Sequence, residues 1–130
     1  MQFVLKIVKI KEKQLERRRH MIKHLNHKEV LQLKDEVSYQ KGQVVSKTIT
    51  KSPYVNVSLF AFDKGEDLSP HTSTGDALVQ VLDGKVTVTI ADQSFDLITG
   101  DSIVMPANIL HAIYAKEAFK MLLVIVFNQV

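Results

Sequence analysis

The chain has 130 residues, 45% of them hydrophobic and 24% charged, with no cysteine and a formal charge of +3. That length supports one domain with its own apolar core, and the lack of cysteine excludes disulfides, thiolate nucleophiles and zinc–thiolate sites. The longest apolar run, residues 121–127, is far short of the roughly 20 residues a membrane-spanning helix needs.

Charge is unevenly placed. Residues 1–20 hold seven Lys/Arg against two Glu, whereas residues 21–130 hold ten Lys against twelve Asp/Glu. The domain proper is mildly acidic and carries no distributed phosphate-binding face, so neither nucleic acid nor a membrane is expected as partner. Lys6 and Lys9 interrupt what would have to be the apolar core of a secretory leader, and a cytoplasmic protein is expected.

Residues 2–10 read as a strand and residues 11–25 as a charged helix, with Leu15, Ile22 and Leu25 as its apolar contacts. All three arginines, Arg17, Arg18 and Arg19, stand together just ahead of His20 and Met21. Three readings fit this end: upstream sequence ahead of a start at Met21, a solvated structural helix, or a basic arm for nucleic acid or anionic lipid. His20 and His24 have the i, i+4 spacing of a helical chelate, but no acidic partner stands nearby, and a solvated face is expected.

From residue 28 onward the pattern is strands and turns. Apolar or alternating segments at 43–51, 54–63, 77–82, 85–91, 95–98, 102–105, 111–115 and 119–127 are separated by turn residues every 8–12 positions or so, the spacing of an all-β sandwich or barrel. Asp83-Gly84 reads as a tight hairpin. With no helix between the strands long enough for a βαβ crossover, a parallel sheet is not expected.

The stretch from Gly65 to Gly84 carries the residues that suggest a family. Gly65, His71 and Gly84 fall at the spacing of the first motif of the cupins, with Ser73 at the second histidine position and Ala77 at the glutamate position. Gly100, Pro106 and His111 fit the second motif, with Asn108 and Ala115 replacing its glycine and asparagine. Over residues 42–127 the chain therefore resembles the cupin family, which implies an all-β, double-stranded β-helix or jelly-roll barrel. The expected layout is an N-terminal extension over residues 1–27 and a barrel over 28–130.

The resemblance also implies where a site lies. Complete cupins resemble one another in holding a divalent metal with three imidazoles and a carboxylate, and here two of those four positions are changed. The expected ligand pocket is His71, Ser73, Val79, Val81, His111 and Ile113, with Ser73 sharing the His71 face of one strand. A divalent transition metal would rest on His71 and His111 alone, needing a further ligand from Gln80, Asp76 or Asp101. No catalytic residue is singled out, since Ser69, Ser73 and Ser102 lie outside any G-x-S-x-G elbow. The expectation is a barrel binding a small organic ligand without catalysis. The alternative is a metal-dependent enzyme of dioxygenase or isomerase type with an incomplete two-histidine site. A homodimer is expected by family analogy, supported by the apolar run at 121–127.

Overall fold

The computed structural model describes residues 2–128, and the side chains of these except residues 2, 3 and 13–19. Among the described residues, nine strands follow one helix and a short 3-10 turn: β1 (Val44–Lys51), β2 (Val55–Phe62), β3 (Asp67–His71), β4 (Asp76–Asp83), β5 (Lys85–Ile90), β6 (Gln93–Ile98), β7 (Ser102–Met105), β8 (His111–Tyr114) and β9 (Phe119–Val126). They form two antiparallel sheets, ordered β1-β2-β9-β4-β7 and β3-β8-β5-β6. The all-β jelly-roll expectation is met.

Alternation decides which side chains enter the barrel. On β2, Phe60 and Phe62 point inward, and Phe62 stacks on its cross-strand partner Phe119 at 4.6 Å between ring centroids. With Val79, Val81, Val86, Val88, Ile113 and Met121 they make one closely packed core. The odd residues Leu59 and Ala61 face outward instead, where Val37, Leu25 and Leu33 cover them. Val37 is buried in this contact and Leu25 and Leu33 are half-buried, and the apolar area they remove from water holds the segment preceding β1 against the larger sheet. Polar ties fix it further: Lys120 Nζ donates to the Lys34 carbonyl at 2.6 Å and lies 4.8 Å over the Tyr39 ring.

Several expectations change. Residues 2–10 are not a strand but the first half of a helix, α1 (Gln2–Arg19). No glycine or proline interrupts residues 2–19, and an isolated segment without a sheet edge to pair with satisfies its backbone only as a helix. Val4, Leu5, Ile7, Val8 and Ile10 are exposed on it; the side chains of Leu15 and the three arginines lie outside the described residues. Asp83-Gly84 is not a hairpin. β4 pairs with β7 and β9 while β5 pairs with β6 and β8, so this dipeptide is a corner where the chain leaves one sheet for the other. The two-residue hairpin is Ala91-Asp92, between the paired Ile90 and Gln93. Finally, β9 is an interior strand, paired on both edges. Of its apolar run, Met121 is fully buried, residues 122–125 are half-buried and Val126 is 49% exposed. Among the described residues, no helix is long and apolar enough to cross a membrane.

Candidate functional site

One end of the barrel collects the polar inward residues. The connections β3–β4 and β7–β8 meet there: Asn108 N–H donates to the Ser73 carbonyl at 2.7 Å, and Ala107 N–H to Asp76 Oδ1 at 2.8 Å. The start of β2, the end of β9 and the start of β4 lie at the same end, since Ile125 pairs with both Asn56 and Ala77.

Two β-bulges set which side chains face in. Between β3 and β8, Leu68 pairs with Ile113 and His71 with His111, so that two residues on one strand, Ser69 and Pro70, stand against one on the other, Ala112. The interruption falls at Ser69-Pro70, where proline has no N–H to give the ladder. Regular alternation from Leu68 would have turned Pro70 inward; the bulge turns His71 inward beside His111. Their rings meet edge-on at 4.4 Å between centroids. On the facing sheet, Thr48 pairs with Ser58 but Thr50 with Val57, leaving Ile49 as the extra residue. Lys51 then stands opposite Asn56, on the inward face that Thr50 would otherwise hold.

Each histidine is oriented by its own strand. Nδ1 of His71 is 2.7 Å from the Ser69 carbonyl, and Nδ1 of His111 is 3.2 Å from the Ile109 carbonyl. A carbonyl only accepts, so Nδ1 carries the hydrogen in both rings and Nε2 of each neutral ring is an acceptor. His111 is 4% exposed and His71 lies open at the rim. Burial lowers the His111 pKa below its ordinary value, against the pull of the Ile109 carbonyl and with the neighbouring His71 adding to the decrease. His111 is therefore a neutral acceptor at neutral pH.

The other expected site residues fall into three groups. Ser73 does not share a strand with His71, because β3 ends at His71; Ser73 lies in the connection, where its Oγ accepts from Gly75 N–H at 3.2 Å. Gly75 is required there, since a Cβ would come within 2.6 Å of the Val126 carbonyl. Val79, Val81 and Ile113 are 0–2% exposed and belong to the packed core, so they form the apolar floor below the histidines. Asp76 is held by Ala107, Gln80 pairs with Ser102 on the outward face, and Asp101 caps its own turn by accepting from Ile98 N–H at 3.0 Å.

These placements test the fit of a metal. Nδ1–H bonded to a carbonyl is how imidazole ligands are commonly oriented. Yet among the described residues no carboxylate joins the pair, and no group of three or more His, Asp or Glu is placed to hold an ion. The four-ligand centre of complete cupins does not fit these residues.

A cavity that the motifs did not indicate lies at the same end. It measures about 230 Å³ and is lined by Thr48, Lys51, Asn56, Ser58, Phe60, Leu123 and Ile125. Within it, Asn56 Oδ1 is buried without a hydrogen-bond partner. Two larger hollows, about 420 and 460 Å³, lie around residues 20–26, and the first reaches β1 along residues 48–52, where it shares Thr48 and Lys51 with this cavity.

Comparison with known proteins agrees with this architecture. The chain matches the sequence model of the Cupin domain over residues 58–127. It is similar to a conserved protein of unknown function from Streptococcus pyogenes, 39% identical with a TM-score of 0.83, over 85% of this chain and 97% of the other. A cupin superfamily protein from Desulfitobacterium hafniense is 34% identical with a TM-score of 0.80, over 84% of this chain and 100% of its own. A cupin 2 conserved barrel domain protein from Leptotrichia buccalis is 45% identical with a TM-score of 0.71, over 72% of this chain and 45% of its own. No curated protein matches the chain. Since the family's sequence model spans more than half of the sequence and two of these structures are matched along nearly their full length, the chain belongs to the cupin family.

Proposed function

We propose that this protein binds a small organic molecule in the open end of its barrel, with His71 at the rim, His111 buried beside it and no catalysis. The observation that supports this best is the histidine pair itself. Both rings are fixed by Nδ1–H bonds to backbone carbonyls, which leaves both Nε2 atoms free to meet a ligand. An apolar floor with a few convergent polar groups is the usual make-up of a small-ligand site. The experiment is a search for a bound molecule: protein isolated under mild conditions is denatured, the released small molecules are identified by mass spectrometry, and each is added back while the ring nitrogens of His71 and His111 are followed by NMR. A released compound that shifts both Nε2 resonances is the expected result. If no released compound, and none in a general metabolite set, moves them at millimolar concentration, the reading is wrong.

The second reading is a metal-dependent enzyme, favoured only by the carbonyl-oriented rings. That no carboxylate joins the pair among the described residues counts against it, because two neutral imidazoles give a divalent ion half of the family's ligands and no compensating charge.

A further inference from the structure

The 230 Å³ cavity at this end of the barrel has a chemistry of its own, set by Thr48, Lys51, Asn56 and Ser58 of β1 and β2. Lys51 is there because of the Ile49 bulge, and among the described residues no hydrogen bond or ion pair engages its ammonium. Asn56 Oδ1, directly across the ladder, is an acceptor with no donor. Thr48 and Ser58, a cross-strand pair, supply hydroxyls of either sense. Phe60, Leu123 and Ile125 form the apolar wall. A buried, unpaired amide oxygen is costly to keep, and bulges that re-aim a side chain concentrate beside binding sites. Both features fall on one pair of facing residues.

A ligand complementary to this wall must bring an anion for Lys51, a hydrogen-bond donor for Asn56 and hydrocarbon for the apolar residues. The donor is a hydroxyl rather than an ammonium, because a second cation beside Lys51 is repelled. At about 230 Å³ the space is below the range of drug-sized pockets, which limits the ligand to a small one. We propose that the cavity binds a small hydroxy acid: its carboxylate meets the Lys51 ammonium, its hydroxyl donates to Asn56 Oδ1, and its apolar substituent packs on Phe60, Leu123 and Ile125. This rests on the reading of the barrel as a ligand-binding site and names the class of molecule that site selects.

Three probes separate the contacts: mandelate, phenylacetate, which lacks the hydroxyl, and methyl mandelate, which lacks the charge. Titrated into the whole protein and followed by NMR, mandelate should bind about tenfold more tightly than either of the others, the worth of one hydrogen bond or charge contact. Lys51→Met should abolish the preference over methyl mandelate while keeping that over phenylacetate. Asn56→Leu should do the reverse, and it should melt at a higher temperature because an unpaired acceptor has been removed. Three probes that bind alike or not at all, or preferences that survive both substitutions, overturn the proposal. An Asn56→Leu protein that melts lower and still selects mandelate assigns the amide to the fold instead. If a different molecule shifts the His71 and His111 rings and binds Lys51→Met undiminished, the hydroxy acid is wrong and the binding barrel stands. If nothing shifts those rings, the binding barrel falls as well.

Discussion

The two ends of the barrel are built from the same strands and differ along each of them. On β2 the inward residues run Asn56, Ser58, Phe60, Phe62; on β8 they run His111, then Ile113. At the closed end, Phe62 stacks on Phe119 among fully buried valines, and among the described residues no buried side-chain nitrogen or oxygen is unpaired there. At the open end, an amide oxygen is buried without a partner and two imidazoles stand against each other. An apolar residue at Asn56 would remove a penalty of about 1–3 kcal/mol for the unpaired oxygen. The difference teaches that the closed end is built for stability, while the open end keeps polar groups at a cost that the proposed binding of a ligand would account for.

Four measurements break or sharpen that contrast. Phe119→Ala should lose about 4 kcal/mol in chemical denaturation, as for a fully buried aromatic side chain; a loss below about 1 kcal/mol would mean that the closed end is not the stabilising one. Gly84→Ala should cost about 3 kcal/mol. Its φ of +92° disfavours any side chain, and a Cβ would strike the Ala118 carbonyl and come within 2.8 Å of Phe119 Cα, both of them backbone. An alanine variant as stable as the parent would show that the corner is not the tight one described. At the open end the sign reverses: Asn56→Leu should gain about 1 kcal/mol, and a clear loss would return this residue to the structural class.

The smallest effect concerns pH. Because burial depresses the pKa of His111 in the folded state, the unfolded chain binds the proton first. Stability should therefore fall as pH drops below about 6.5, the ordinary histidine value. His111→Gln should flatten the dependence in that window compared with the parent protein. Identical slopes for the two proteins would show that His111 is not held neutral by burial.

Much of the fold was legible because strand periodicity and turn residues are local signals. The segments around Val55–Phe62, Lys85–Ile90 and Ser102–Met105 were found within a residue or two. The pairing partners were not legible. Asp83-Gly84 has the composition of a hairpin, but whether two successive strands share a sheet depends on distant β7, β8 and β9, which compete for their edges. The site was half legible for the same reason. His71 and His111 stand at motif spacing, and the structure brings them together. Ser73 was misplaced because strand alternation was extended past the end of β3. Lys51 and Asn56 were missed entirely. A bulge leaves no mark in the pattern of one strand, and only the register against Val57 and Asn56 shows that Lys51 turns inward. The signal available was the polar start of an otherwise apolar strand, Asn56 and Ser58 on the same alternation as Phe60 and Phe62.

The claim that the open end recognises an organic molecule rather than a metal ion is tested most directly by elemental analysis of the protein and of His71→Ala, both purified without metal-chelating tags. The account predicts metal well below one ion per chain in both, with the fold of the variant intact. One ion per chain in the parent, lost in His71→Ala, would contradict it and make the two histidines a metal centre.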